Sequence, residues 1–338
     1  MMKAMVIRAF GEKLEMMTVS DPAPGNGEIV LAVKACGVCR TDLKVWHGQL
    51  PRVKKHGVPL IPGHEIVGVV ESMGPDVTGW KIGERAVVYF YIGCGQCPAC
   101  RVGRSALCHQ LRNQIGVTCD GGYAEKVRVP AANLVRIADH VSDAEASIIP
   151  DAIGTSHHVV VDRAQVRPGE RVLVTGAGGV GLHIIQLVHL SGAYTVAADI
   201  DETRLAMAEE YGADEVHRIS GLESLPESLR VDKVIEASGA LRDASCFTRV
   251  LSPGGRLVVV GYTIGEQIAI GSLAIISAEI EIFGVRAANP ANVVAAVQLV
   301  EQGKIRPVVD KVFPLSEANT VLEKLTAGQL RARAVLIP

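Results

Sequence analysis

The residues of this chain that can do chemistry crowd into its first third, and four of them share one short run. Cys94, Cys97, Cys100 and Cys108 follow the spacing Cys-x2-Cys-x2-Cys-x7-Cys. Four thiolates on so short a segment can wrap one zinc ion as a tetrahedron. No coordination position is then left open, so the expected role is structural. The residues between them, Gly95, Gln96, Pro98, Arg101, Gly103 and Arg104, are loop formers and not core formers, which argues against four thiols that are merely buried. A redox Cys-x-x-Cys pair would leave two of the cysteines without a purpose.

A second constellation lies in Cys36-Gly37-Val38-Cys39-Arg40-Thr41-Asp42-Leu43 and in Pro62-Gly63-His64-Glu65. A catalytic zinc takes three protein ligands and keeps one position open. Cys39 and His64 supply two of the three. Each motif is weakly specific alone; together with the four-cysteine run they point to a metal that does chemistry.

The third constellation is Gly176-Ala177-Gly178-Gly179-Val180-Gly181. It follows a short apolar run, Arg171–Thr175, and opens a helical stretch, Leu182–Ser191, which is the context that gives a G-x-G-x-x-G pattern its meaning. Gly176 allows a tight turn, Gly178 lets backbone approach a pyrophosphate, and Gly181 allows close packing. The helix N-terminus offers free N–H groups to phosphates. Asp199 stands about 20 residues on, where an acid grips both ribose hydroxyls and repels a 2′-phosphate. NAD is therefore expected over NADP, with Arg204 tempering that preference.

The elements that must position these groups fall into two kinds. The first third is β-rich, with strands expected at Glu28–Ala35, Glu65–Ser72 and Arg85–Tyr91. The middle alternates: strands at Arg171–Thr175, Ala193–Asp199, Lys233–Ala237, Arg256–Val260 and Glu279–Phe283, with helices at Leu182–Ser191 and Glu202–Tyr211. Alternation of strand and helix implies a parallel sheet, with Glu279–Phe283 at its edge. The tail reads as helices at Pro290–Gly303 and Ser316–Thr326 and a strand at Ala334–Ile337. The 338 residues, with 34 Lys+Arg against 36 Asp+Glu, suit two domains with no excess of positive charge for nucleic acid. No leader-like start and no long apolar run are seen, so neither secretion nor a membrane is expected. Eight cysteines clustered in this way suit a reducing, cytoplasmic setting.

Taken together, these motifs make the chain resemble the zinc-dependent medium-chain alcohol dehydrogenase family nearly end to end, through to Arg331-Ala332-Arg333-Ala334-Val335-Leu336. The resemblance implies an α/β chain with an irregular GroES-like β-barrel catalytic domain at residues 1–152 and 288–338. It implies a Rossmann doubly wound parallel sheet at 153–287, with a cleft between the domains. It makes Cys39 and His64 ligands of a catalytic zinc, Thr41 the hydroxyl that takes the substrate proton, and Asp42 the carboxylate that orients His64. Glu65 lies beside the metal. Arg40 and Arg333 match positions that bind pyrophosphate, and Thr155 and Val180 match residues that touch the nicotinamide.

Two positions depart from the family pattern. The third ligand is most often a cysteine, and the matching residue here is Asp151. It either ligates zinc through oxygen or caps the following helix. A carboxylate keeps the charge balance of a thiolate and is a harder donor. Lys44 replaces a histidine that relays the proton, and either Lys44 or His47 completes that route. The implied cofactors are NAD and two zinc ions per chain, one catalytic and one structural. The implied partners are a small alcohol or carbonyl compound and further copies of the chain in a homodimer or homotetramer. Two other readings stand beside this one: an NAD(P)H-dependent reductase of an activated C=C bond, and a non-catalytic zinc- and dinucleotide-binding protein. The substrate is not named by the sequence, because the pocket draws on scattered residues such as Trp46, Leu50, Arg112, Ile115 and those near Ala287–Asn289.

Overall fold

The computed structural model describes residues 1–338 as two compact units. One comprises Met1–Gly154, Ala288–Gly303 and Pro307–Pro338; the other comprises Thr155–Ala287 with Lys304–Arg306.

The first unit is built on the strand Glu28–Val38, whose EIVLAVKACGV run is buried almost throughout, as a strand enclosed on both faces must be. Its neighbour along nearly its whole length is the antiparallel strand Glu65–Met73. On its other side it pairs first with Lys126–Pro130 and then with Arg333–Ile337. Register does the functional work here, because Gly37 lies opposite Glu65, and Val38 opposite Ala334. The end of one strand and the beginnings of two others are thereby brought together. The sheet continues through Arg85–Val88 to Leu134–Arg136 and, on the far side, to Val309–Pro314.

Two details differ from expectation. Cys36 lies inside the Glu28–Val38 strand, not in the turn after it. The run expected at Arg85–Tyr91 stops at Val88, and a separate short strand, Tyr91–Ile92, follows. The side-chain amide of Asn133 donates to the carbonyls of Tyr89 and Tyr91, so a side chain takes the place of a neighbouring strand as their partner.

The second unit carries a six-stranded sheet in the order Glu215–Arg218, Tyr194–Asp199, Arg171–Thr175, Val231–Glu236, Leu251–Val259, Glu281–Gly284. All its pairings are parallel. Numbered along the chain this is 3-2-1-4-5-6, the order of a dinucleotide-binding doubly wound sheet. Arg171–Thr175 sits at the centre, and its last four residues are buried. The last strand is at the edge, as expected, but it begins at Glu281. Glu279 instead closes a helix, Ser272–Ala278, in a left-handed conformation (φ 48°). That helix escapes sequence reading because its SLAIISA run has no polar face to give a period, and none of its residues is buried. No helix of the chain is long and apolar enough to cross a membrane.

Candidate active site and structural metal centre

Helix Arg40–Trp46 starts directly after the long strand, and Cys39 is its N-cap. The Cys39 sulfur accepts from the Thr41 N–H, while Asp42 Oδ2 accepts from the Cys39 N–H at 2.8 Å. This reciprocal cap fixes the thiol and the carboxylate relative to each other. Asp42 Oδ1 lies 3.0 Å from His64 Nδ1. The imidazole is therefore held through one nitrogen, and its Nε2 faces the Asp151 carboxylate at 3.6 Å. Asp151 Oδ2 is 3.5 Å from Cys39 Sγ. The helix before this aspartate, Asp143–Ser147, is capped by Ser142, and Asp151 sits inside the widened helical turn Ile149–Ile153 that continues it. Such wide turns recur at functional sites.

Donor atoms of Cys39, His64, Glu65 and Asp151 all lie within 4.8 Å of one another, and all four residues are buried. A tetrahedral zinc with bonds of about 2.0–2.3 Å has donor–donor edges of about 3.3–3.8 Å. The 3.5 and 3.6 Å separations meet that requirement. A second observation fits the ion equally well. Neither Glu65 carboxylate oxygen has a partner in hydrogen-bonding geometry, although Arg333 Nη2 stands 2.9 Å from Oε1 as an ion pair. Gly37 makes room for this carboxylate, since a Cβ there would fall 2.1 Å from Glu65 Oε2.

Arg333 was expected at a pyrophosphate. The structure places its guanidinium beside the Cys39, Glu65 and Asp151 donor atoms, also 3.4 Å from Asp151 Oδ2 and 3.5 Å from Cys39 Sγ. Burial works against every charge in this cluster, and the neighbours decide the outcome. Desolvation, the largest single influence, raises the Cys39 thiol, but Arg333 and His64 together outweigh it and the net shift is downward. Burial likewise opposes ionisation of Asp151, yet His64 and then Arg333 hold it well below the usual carboxylate range. His64 is carried well above the ordinary imidazole value by Asp42 and Asp151 in spite of its burial. Burial dominates for Glu65, which is pushed up.

The four-cysteine run forms a separate centre. Cys94, Cys97, Cys100 and Cys108 bring their sulfurs within the same 4.8 Å limit. Cys97 and Cys108 Sγ are 3.8 Å apart, which is the edge of a zinc–thiolate tetrahedron. Backbone amides of Cys100 and His109 lower the Cys97 thiol to about 6, so it is already a thiolate, the form that binds metal, at neutral pH.

In the second unit the glycine loop has the expected form. Gly176 has φ 89°. A Cβ on Gly178 would meet nothing within 4 Å, which leaves the backbone open to a ligand. Gly181 is required for a different contact from the one expected: its Cβ would fall 1.8 Å from the Gly176 carbonyl oxygen, within the loop itself. Asp199 Oδ2 accepts from the Ala177 N–H at 2.7 Å, and Oδ1 accepts from Asp201 N–H at 3.0 Å. The acid is thus fastened to the loop. Gly179 receives a contact from the buried His183, whose Nδ1 is 2.8 Å from its carbonyl oxygen. Thr155 is buried beside Ser156, whose hydroxyl donates to the Val180 carbonyl. Arg204 lies in the first turn of helix Glu202–Glu210, its N–H donating to the Asp201 cap.

Residues 25–139 match the alcohol dehydrogenase GroES-like domain, and residues 179–302 match the zinc-binding dehydrogenase model. An alcohol dehydrogenase of Geobacillus stearothermophilus is 34% identical over 99% of both chains. The chain belongs to the zinc-binding alcohol dehydrogenase family. An acryloyl-coenzyme A reductase of Metallosphaera sedula is 33% identical over 96% of both chains. The crystal structure of an NAD-dependent alcohol dehydrogenase superposes with a TM-score of 0.93 at 31% identity, covering 100% of both chains.

The residues expected to relay a proton separate clearly in their surroundings. Thr41 and Lys44 lie three apart on one short helix, so they share a face. Lys44 is half-buried, and burial, with Arg40 adding to it, pulls its ammonium down to about 8 against the pull of Cys39. His47 is exposed at the helix C-cap, its ring stacked on Trp46 at 4.6 Å. Arg40, at the first helical position, is exposed. One residue that sequence reading missed is Tyr123, whose hydroxyl donates to Asp42 Oδ2 at 3.1 Å. Its only local signal is the Gly121-Gly122 pair before it.

Proposed function

We propose that the chain is a zinc-dependent oxidoreductase that moves a hydride between an alcohol, or the matching aldehyde or ketone, and NAD(H). The observation that carries this reading is the triad of Cys39, His64 and Asp151, with separations that fit a tetrahedral ion. Zinc, when bound there, supplies a Lewis acid that polarises the substrate oxygen. The rest is done by the chain. Cys39, His64 and Asp151 hold the ion, and Asp42 fixes the His64 ring. Cys94, Cys97, Cys100 and Cys108 hold the structural ion. Thr41 takes the alcohol proton, and Lys44, one turn on and poised at about 8, passes it on in place of His47. The Gly176–Gly181 loop receives the pyrophosphate, Asp199 grips the ribose, and Thr155 and Val180 flank the nicotinamide.

One assay panel tests this: alcohols with NAD and NADP, carbonyl compounds with NADH and NADPH, and enals, enones and enoyl thioesters with the reduced cofactors, all on zinc-replete protein. Turnover of alcohols and carbonyls with NAD(H) is expected. Turnover confined to the C=C substrates favours the reductase reading, which the 33% identical acryloyl-coenzyme A reductase keeps in view. Loaded metal with no turnover on any panel favours a non-catalytic protein. The free, metal-ready cysteines suit a cytoplasmic setting. A homodimer or homotetramer built through the sheet edge Glu281–Gly284 would cover Leu273 and Ile276, now 76% and 74% exposed.

A further inference from the structure

Asp42 is fully buried, and its carboxylate is held from three sides. Oδ1 lies against His64 Nδ1 at 3.0 Å, and Oδ2 accepts from the Cys39 N–H at 2.8 Å and from the Tyr123 hydroxyl at 3.1 Å. Two of these partners belong to residues of the zinc donor set. Tyr123 is the third, and it is 81 positions away in sequence.

The fold goes to some trouble to deliver this hydroxyl. Tyr123 has no exposed surface. Its segment is laced to the one that carries His64: Gly121 N–H donates to Ile61 O at 2.8 Å, Gly122 N–H to Gly63 O at 2.8 Å, and Tyr123 N–H to Pro62 O at 3.0 Å. Gly63, immediately before His64, has φ 94°, and a Cβ there would lie 2.2 Å from the Tyr123 ring. Only glycine both adopts that backbone and lets the ring pass. A Cβ on Gly122 would likewise collide with Ile66 at 2.6 Å. The ring is therefore wedged between the His64 approach and the protein core, with its one polar atom aimed at Asp42.

We infer that Tyr123 is a positioning residue of the catalytic zinc site: its hydroxyl locks the Asp42 carboxylate in the plane that orients His64. The inference rests on the zinc reading above. A carboxylate held at one oxygen by the backbone alone can rotate, and the imidazole it steers rotates with it. Outer partners of metal-bound histidines commonly change metal affinity by about 10- to 100-fold. Tyr123 acts through one more link, so the lower end is expected.

The test is zinc release from Tyr123→Phe into excess chelator, with the four-cysteine zinc as the internal reference, and the visible spectrum of the protein with cobalt in the catalytic site. About tenfold faster release from the catalytic site is expected, with the structural site unchanged and the cobalt bands shifted. In Asp42→Ala, which removes the acceptor, the further change Tyr123→Phe should add nothing. If Tyr123→Phe folds poorly, 4-aminophenylalanine at position 123 keeps a donor, and its release rate should fall between wild type and the loss seen in Asp42→Ala. Release within twofold of wild type with an unshifted cobalt spectrum overturns the inference, as does full additivity with Asp42→Ala. A wild-type chain that holds only the four-cysteine zinc overturns the zinc reading and this inference with it. A wild type with two zincs and an indifferent Tyr123→Phe overturns this inference alone.

Discussion

Replacing Asp151 by asparagine keeps the shape of the side chain and removes its charge. Asp151 Oδ2 lies 3.4 Å from the Arg333 guanidinium, 3.5 Å from Cys39 Sγ and 3.6 Å from His64 Nε2, all of them buried. Asp151→Asn removes one negative charge from that site, with little water to screen the loss. Removing one partner of a buried ion pair costs about 3–5 kcal/mol. Asparagine still offers an oxygen where Oδ2 now lies, 3.5 Å from Cys39 Sγ, so the lower figure applies. About 3 kcal/mol is about 150-fold in the zinc dissociation constant, at about 1.36 kcal/mol per decade. Chelator competition followed by elemental analysis reads this directly. Wild type should keep two zincs per chain and Asp151→Asn one, with loss of turnover. Asp151→Cys, which restores an anionic donor, should recover affinity to within about tenfold of wild type, on the reasoning that charge balance outweighs donor hardness. Two tightly held zincs and full activity in Asp151→Asn would show that the carboxylate is not a ligand, and the charge accounting would fail with it.

Four further outcomes follow from the same geometry. Burial lowers Lys44 to about 8; below that pH it is an ammonium and accepts no proton, and above it is a free amine. Alcohol oxidation should rise through about pH 8, and Lys44→Met should lose that limb and about 10²-fold in kcat, whereas His47→Ala should leave the pH profile intact. Cys97→Ser should lose the structural zinc and lower the melting temperature while leaving NAD affinity, read by NADH fluorescence, unchanged. Ligands must be deprotonated to bind, so the affinity of wild type for this zinc should fall steadily as the pH is lowered. Asp199→Ala removes a charged acceptor from the Ala177 N–H at 2.7 Å, worth about 1.5–3 kcal/mol. NAD affinity should fall at least tenfold, and NADP should be rejected less. Leu273→Glu with Ile276→Glu should give a lighter species by analytical ultracentrifugation, with the circular dichroism spectrum unchanged.

Much of this architecture was legible in the residues, and what was not has a physical reason. Arg171–Thr175, the glycine loop and the helix after it are marked locally, because a buried parallel strand must be apolar and a phosphate loop must lack side chains. The structure ends them within a residue or two of the expected bounds. The four-cysteine centre is equally local. The catalytic donor set is not. Cys39, His64 and Asp151 come from separate stretches of chain, and an aspartate near a helix start reads equally well as a cap; the structure sets it inside the widened turn at Ile149–Ile153. Tyr123 carries no signal of its own, since a buried tyrosine is ordinarily core. Yet a trace of both distant partners lies beside Cys39 and His64. Gly37 and Gly63 each stand within two residues of one of them, and in each the missing Cβ is the space another side chain needs, the Glu65 carboxylate in one case and the Tyr123 ring in the other. A glycine next to either residue therefore records where a non-local partner enters the site, although the sequence does not say which residue it is.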